Sequence, residues 1–368
     1  MHHRRDHKPI EGSAVIYRHM LLVTAVLFLA SPAIAEESHV YVRSDGDASG
    51  DGRSPQTAVS SLTRARDIAR QLPSPRTVHL DGKFVMDGPL ELGPADSGTS
   101  WLGGPDAALS GQGKVPYAIH GSSVRDASFA GFAISDFAKQ GINLVDPARV
   151  TISGLAVSRI TSDAWSQGGI FVSGNIKDLA ITGNTVNDTG YIGIGVFSNY
   201  GQSGLRIRIA DNRVEHTCKK VADCGAIYLG GRGTNSGSQI TGNIVNDFGP
   251  QSSKGRGIYL DDWESNVTVT NNCVAGPGLF GMHIHGGRNN KITGNRIDAR
   301  GLRAALLNQA NSLQPRRDML GNLFADNTIV VDPAVSNLVE ERQSRSSQGV
   351  RISGNRLIDQ APPGRCPF

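Results

Sequence analysis

From residue 150 onward the chain repeats one short phrase. Two or three alternating Val, Ile or Leu positions lead to Gly or Asp, then Asn, then another brief apolar run. The clearest copy is Leu179-Ala180-Ile181-Thr182-Gly183-Asn184-Thr185-Val186. Later copies centre on Asn212, Asn243, Asn272, Asn295, Asn327 and Asn355, and the spacings starting from Asn184 are 28, 31, 29, 23, 32 and 28 residues. Val150 to Val157 is an earlier copy with Leu155 in the Asn place. Apolar alternation at period two, bounded by Gly and Asn, predicts strands rather than helices. A repeat of this length predicts a solenoid. One repeat cannot bury its apolar face alone, so coils must stack to make a continuous core. Gly and Asn both tolerate left-handed backbone and suit a sharp corner. Asn side chains stacked coil over coil are expected to hydrogen-bond to backbone and to one another.

This repeat resembles the parallel β-helix. The resemblance spans Val124 to Leu357 and implies an all-β fold, a single-stranded right-handed parallel β-helix solenoid with an N-terminal helical cap. The spacing itself does not set the hand. Val40-Tyr41-Val42 reads as an entry strand, and Ser61 can cap a helix from Leu62 to Leu72. Such a helix would cover the sheet edges and the hydrophobic opening at the end of the rod. The expected organisation is a leader and signal peptide at 1–35, a cap with irregular first coils at 36–123, and repeats with a tail at 124–368.

Composition narrows the function. The net charge of +4 includes Arg4, Arg5, Lys8 and Arg18 of the leader. There is no Lys/Arg block with interleaved aromatics, which argues against nucleic acid. Met20 to Ala35 reads as a signal peptide, with the apolar stretch Leu21–Ala30 and the small-residue site Ala33-Ile34-Ala35. The stretch is short for a membrane span. A periplasmic or secreted monomer with no stable span after cleavage is expected. Cys218 and Cys224 are close enough in sequence to pin the loop before Ala226, and an oxidising compartment permits it. A Cys273–Cys366 tether for the tail stays open. Zinc-site spacing is absent. The loop Asp45-Gly46-Asp47-Ala48-Ser49-Gly50-Asp51-Gly52 has carboxylates at alternate positions that suit calcium, while a turn-rich surface loop is the plainer reading. No cofactor is expected.

Aligning the strand that precedes each long loop gives the candidate chemistry. Side chains alternate along a strand. Ile170, Ile194, Ile227, Ile258, Met282 and Ala305 form one expected inward column. Val172, Val196, Leu229, Leu260, Ile284 and Leu307 form the other. Between them point outward Phe171, Gly195, Tyr228, Tyr259, His283 and Leu306. The next outward column is Ser173, Phe197, Gly230, Asp261, His285 and Asn308, and a third holds Arg232, Trp263 and Gly287. Adjacent strands lie about 4.8 Å apart, so Asp261 and His285 are expected to meet. Gly230 would leave a hollow for a sugar ring. Tyr228, Tyr259 and Trp263 offer apolar faces to it, His283 and Asn308 line it, and Arg232 and Arg288 flank it. Asp262 has inward parity and is either a turn cap or a groove residue. The plainer reading of Asp261-Asp262 is a strand end accepting backbone hydrogen bonds. His283 and His285 lack matching acids for a metal.

Three strings carry a closer resemblance: Asp223-Cys224-Gly225-Ala226-Ile227-Tyr228, Gly257-Ile258-Tyr259-Leu260-Asp261-Asp262 and His285-Gly286-Gly287-Arg288-Asn289-Asn290. They resemble β-helical glycoside hydrolases that include fucose- and xylose-cleaving enzymes. The resemblance implies Asp223 and Asp261 as catalytic carboxylates, with Asp262 competing for the second role. In a straight strand Asp223 would lie far from Asp261 unless the Cys218–Cys224 loop folds back. The expected function is an exported glycoside hydrolase acting on a polysaccharide or oligosaccharide. The alternatives are a uronan lyase, using Lys254, Arg256, Arg232 or Arg288 with His285, and a non-catalytic glycan-binding β-helix.

Overall fold

The computed structural model describes residues 37–231, 234–235, 237–249, 254–310, 319–332, 338–342, 349–360 and Cys366. The expected leader and signal peptide, and Arg232, lie outside these residues. Three parallel sheets of 12, 11 and 10 strands, sheets I, II and III, carry the described chain. Each coil contributes one strand to each. Lys177–Thr182 enters sheet I, Thr185–Thr189 sheet II and Ile192–Ser198 sheet III, and Ile207–Ala210 then pairs with the first of these. This is a parallel β-helix. Regular coils begin at Arg76, ahead of the Asn repeats. Those first coils lack the Asn, so the repeat that reveals the others is missing from them.

The corner between sheets I and II divides its labour between two residues. The first takes the left-handed conformation: Gly183 at φ 63°, Asp211 at 56°, Gly242 at 69°, Asn271 at 55°. The second is the Asn, which is buried. Asn243 shows the pattern. Its Oδ1 accepts the backbone N–H of Asn212 and the Asn212 side-chain amide at 3.0 and 2.9 Å. Its own Nδ2 donates to Ile209 O and to Asn272 Oδ1 at 3.0 and 2.9 Å. The same bonds run from Asn184 to Asn355. A buried amide is costly unless it is paired, and here each coil pairs its neighbour. A second, shorter ladder joins Asn290 to Asn322 at the corner leading back into sheet I.

Inside the rod the apolar columns of all three sheets form one continuous core. Outside, alternating charges stack at two corners. Arg149 forks onto Asp126 at 2.5 and 2.7 Å, Arg206 pairs with Asp178, and Arg159 forks onto Asp136 at 2.7 and 2.8 Å. Exposed pairs of this kind add little stability, but a strand slipped by two residues would part each acid from its base. At the first coil the helix Leu62–Arg70, capped by Ser61, lays Leu62, Ala65 and Ala69 on the core. The buried Arg76 guanidinium donates to the carbonyls of Ala69 and Leu72 at the end of that helix. Both disulfides are formed: Cys218–Cys224 with Cα atoms 5.6 Å apart and Cys273–Cys366 at 5.5 Å.

The ladder makes a stability prediction. Asn243→Ala orphans donors and acceptors on two neighbouring coils. It should cost about 3 kcal/mol or more, since each buried unsatisfied group costs about 1–3 kcal/mol. Asn355→Ala, at the exposed last rung, should cost about 1 kcal/mol. Urea denaturation midpoints of the two variants check the difference.

Candidate active site

Sheet III positions the candidate residues. Tyr228 pairs in register with Tyr259, and Tyr259 with His283. Asp261 continues the ladder by donating its backbone N–H to Leu229 O at 2.8 Å. Gly230, Asp261 and His285 therefore stand at one level on successive coils. Asp261 and His285 do meet: His285 Nδ1 lies 2.6 Å from Asp261 Oδ1. Asp261 accepts two more hydrogen bonds, from Tyr228 Oη to Oδ2 at 2.5 Å and from the backbone N–H of Asp262 to Oδ1 at 2.7 Å. Burial by itself would raise the pKa of this carboxyl. The donors from His285 and Tyr228 outweigh it and hold the group below the ordinary carboxylate range. An ionised carboxylate accepts only, so His285 carries its proton on Nδ1 toward Asp261. Nε2 is left for other chemistry, on a side chain that is 20% exposed.

The aromatic residues expected to hold a sugar are buried. Tyr228 and Tyr259 stack with centroids 4.4 Å apart, and Tyr259 and His283 likewise at 4.4 Å and only 10° from parallel. Tyr191, Ile192, Phe171 and the Cys218–Cys224 disulfide pack on the two tyrosines. Water exclusion pushes the Tyr191, Tyr228 and Tyr259 hydroxyls up, with the Asp261 charge adding to each. The expected hollow at Gly230 is filled. A Cβ there would lie 2.9 Å from the Phe197 ring, which occupies the space. Trp263 is also buried and is no open platform. Both Asp262 and Trp263 adopt left-handed backbone, φ 50° and 66°, and the indole is so close to the next coil that a Cβ on Gly286 would lie 2.4 Å from it. Asp262 is half-buried in that turn, where its N–H serves Asp261. Arg288 is exposed in the following turn, its N–H bonded to Ser265 Oγ at 3.1 Å.

Asn308 is misplaced by the sequence alignment. Leu306, not Ala305, pairs with Met282, so Asn308 pairs with the inward Ile284 and His285 faces Gln309. Asn308 is fully buried, with no partner for its amide among the described residues. Leu307 points outward against Phe280 and Ala304. The run Ala304-Ala305-Leu306-Leu307 is apolar throughout and offers no alternation to phase it. Gln309, which the alignment missed, is the half-buried neighbour of His285.

Asp223 reaches the same region through its loop. The disulfide closes the loop. The Tyr191 hydroxyl donates to the Asp223 carbonyl at 3.0 Å. Arg256 Nη1 donates to the Asp223 carboxylate at 2.6 Å and to Lys254 O at 2.8 Å. That guanidinium is buried and lies 4.5 Å above the Tyr259 ring, a cation–π contact. The Asp223 side chain stays 40% exposed. The two acids thus flank Tyr259, one through Arg256 and the other beside Tyr228 and His285. The carboxylates of the Asp/Gly loop near the N-terminus make local hydrogen bonds. Asp47 accepts from Ser49 N and Oγ at 2.8 Å each, Asp51 from Arg53 N at 3.0 Å, and Asp45 pairs with Arg43 at 3.0 Å. Among the described residues no cluster of three or more His, Cys, Asp or Glu side chains is placed to hold a metal ion. A hollow of about 490 Å³ near the cap, lined by Ser61, Phe84 and Lys114, lies outside this constellation.

Residues 117–297 match the family described as the right-handed β-helix region. The chain is similar in structure to a lacto-N-biosidase from Eubacterium ramulus, with a TM-score of 0.55 at 13% identity over 87% of this chain and 68% of that one. It is similar to the ORF18 protein of Geobacillus virus E2, with a TM-score of 0.57 at 10% identity over 80% of this chain and 58% of that one. It also resembles a DFA-IIIase from Arthrobacter chlorophenolicus, solved in complex with GF2, with a TM-score of 0.51 at 13% identity over 79% and 89%. At such identities the likeness speaks for the fold. No curated protein matches the sequence.

His283 gives this region a pH signature. Neither ring nitrogen has a partner among the described residues. Burial first, then the nearby Arg256, His285 and Arg342, holds the ring neutral far below the ordinary value of 6.5. Below that value the unfolded chain binds a proton that the folded chain refuses, so stability is lost as pH falls through 6.5. The wild-type denaturation midpoint should drop between pH 7 and pH 5. His283→Phe should flatten that slope while keeping the ring stack.

Proposed function

We propose that this right-handed parallel β-helix is a carbohydrate-active enzyme that hydrolyses a glycosidic bond in an oligosaccharide or polysaccharide, with His285 as its proton-transfer residue. The observation that carries this reading is the 2.6 Å contact between His285 Nδ1 and a buried, triply bonded Asp261. A carboxylate behind an imidazole fixes its tautomer and aims the other nitrogen. Asp261 itself, ionised and saturated with donors, is poorly suited to protonate a leaving group. It acts as a positioning residue. The names of two structural relatives, lacto-N-biosidase and DFA-IIIase, support glycans as the substrate class.

Hydrolysis requires a proton for the leaving oxygen and a base for water. His285, doubly protonated with Nδ1–H on Asp261, supplies the first from Nε2–H and is left neutral. Asp223, paired with Arg256 yet partly exposed, takes the second. Water then adds to the anomeric carbon as the bond to the leaving oxygen breaks. Asp262 has no part in either transfer. A second reading has one observation in its favour: a guanidinium, Arg256, lies over Tyr259 within the same aromatic stack, and elimination from a uronan uses a cation to neutralise the uronate. An exported location fits two disulfides. Among the described residues no helix is long and apolar enough to cross a membrane.

A glycan panel with product analysis tests the proposal. Hydrolysis yields reducing ends without new ultraviolet absorbance, whereas elimination yields an unsaturated, absorbing product. Binding without either product would leave a glycan-binding protein. In the hydrolase, His285→Ala should lower kcat by about 10²–10⁴-fold, the range of general acid–base catalysis. Asp261→Asn should lower kcat with little change in KM, and Asp262→Asn should stay within a few-fold of wild type. Undiminished turnover in His285→Ala would remove the imidazole from the mechanism.

A further inference from the structure

The Tyr228 hydroxyl looks at first like a substrate contact, because it lies on the outer face of sheet III beside the candidate site. Its geometry says otherwise. The side chain is 5% exposed, stacked on Tyr259 at 4.4 Å and tilted against Phe197 at 4.9 Å. Its hydroxyl is spent on Asp261 Oδ2 at 2.5 Å. The three donors on Asp261 are unequally shared. Oδ1 receives both His285 Nδ1 at 2.6 Å and the backbone N–H of Asp262 at 2.7 Å. Tyr228 is the donor given to Oδ2.

We infer that Tyr228 is a positioning residue that keeps the Asp261 carboxylate ionised, and so keeps His285 aimed, across the working pH range. This deepens, and rests on, the reading of His285 as the proton-transfer group. The physical reason is local. A carboxylate oxygen taken out of water without a donor favours the protonated form. The proton would settle on Oδ2, the oxygen with fewer donors. Asp261 would then present a neutral acid to the imidazole, and the charge that holds Nδ1–H would be gone. Of the other charged and titratable groups facing Asp261, the Tyr259 hydroxyl also leans on it, 3.5 Å from His285 Nδ1, but it is in place in wild type and in Tyr228→Phe alike and so adds nothing when the Tyr228 donor is lost. Tyr259 and Arg256 lie on its own strand, with Asp262 beside it in the turn. Asp223 comes from the preceding coil and Tyr191 from the one before it, and His283 and His285 from the following one. Of these, His285 and Asp262 already serve Oδ1, and Arg256 is engaged with Asp223. Buried Tyr228 cannot be replaced by water without opening the aromatic stack.

Tyr228→Phe removes one oxygen and keeps the ring. The expected result is an acidic limb of the kcat profile displaced upward by about one to two pH units, the equivalent of one hydrogen bond to a charged group, with KM unchanged. A raised KM with an unmoved limb would make Tyr228 a substrate contact and overturn the inference. A lowered melting temperature with kcat, KM and profile all unchanged would make it packing alone and overturn it equally. A readout independent of turnover uses the full chain labelled with ¹⁵N-histidine. In wild type the downfield His285 Nδ1–H resonance should persist below the ordinary carboxylate range. In Tyr228→Phe it should shift or vanish at a pH about one to two units higher. If wild type loses that resonance above pH 4 the inference fails without any variant. If the resonance behaves as expected but no glycan is turned over, the failure lies with the proposed function and not with Tyr228.

Discussion

The asparagine ladder is the interaction on which the remaining structure depends. Between Asn184 and Asn355 successive coils are held by no covalent bond to their neighbours, the Cys273–Cys366 tether of the tail aside, and the sheet hydrogen bonds would be equally well made after a slip of two residues. A buried amide stacked from Asn184 to Asn355, bonded at each step to the adjacent Asn and to backbone, allows one alignment. Slipping a coil leaves several buried donors and acceptors unpaired, and each costs more than a typical paired hydrogen bond contributes. The alternating Asp and Arg corners work in the same sense more weakly, since they stand in water. The left-handed residue before each Asn lets the chain turn sharply enough for the amide to point inward.

Vertical alignment is what turns scattered residues into a site. Tyr228, Asp261 and His285 belong to three consecutive coils, and each hydrogen bond between them spans one inter-strand step. None of these contacts is local in sequence. The region is also drier than an ordinary sheet face. The disulfide loop and Tyr191 cover the tyrosine stack, which strengthens the electrostatic coupling among Asp261, the phenols and His283. The cost is visible in the same place: His283 is buried with neither ring nitrogen paired among the described residues, a cost that a solvent-facing residue would not carry.

Burial is where expectation and structure part. Tyr228, Tyr259, His283 and Trp263 have the parity of outward residues, and parity says only which side of the sheet a side chain leaves. It does not say whether a loop returns over it. The Cys218–Cys224 loop does return, which brings Asp223 to the Arg256 guanidinium lying over Tyr259 and converts a supposed sugar platform into a covered stack. The filled space at Gly230 has the same origin, because Phe197 from the preceding coil leans into the room that a missing Cβ leaves. The shift at Asn308 has another. Four apolar residues in a row carry no period, and one residue of phase reverses every side chain that follows.

By itself the sequence determined the coil. Recurrent Gly-Asn corners, strands of period two and the Ser61-capped helix were legible because each is a local rule: left-handed tolerance, side-chain alternation, end capping. It also determined that positions 261 and 285 share a level, since a regular repeat carries register with it. Only the tertiary structure decided which outward groups meet water, which oxygen of Asp261 each donor takes, and how Asp223 reaches its neighbours. Those outcomes depend on loops whose lengths vary from coil to coil and on contacts between residues about thirty positions apart. A repeat pattern fixes the height of a residue along the rod, but solvent exclusion is set by whatever folds across it.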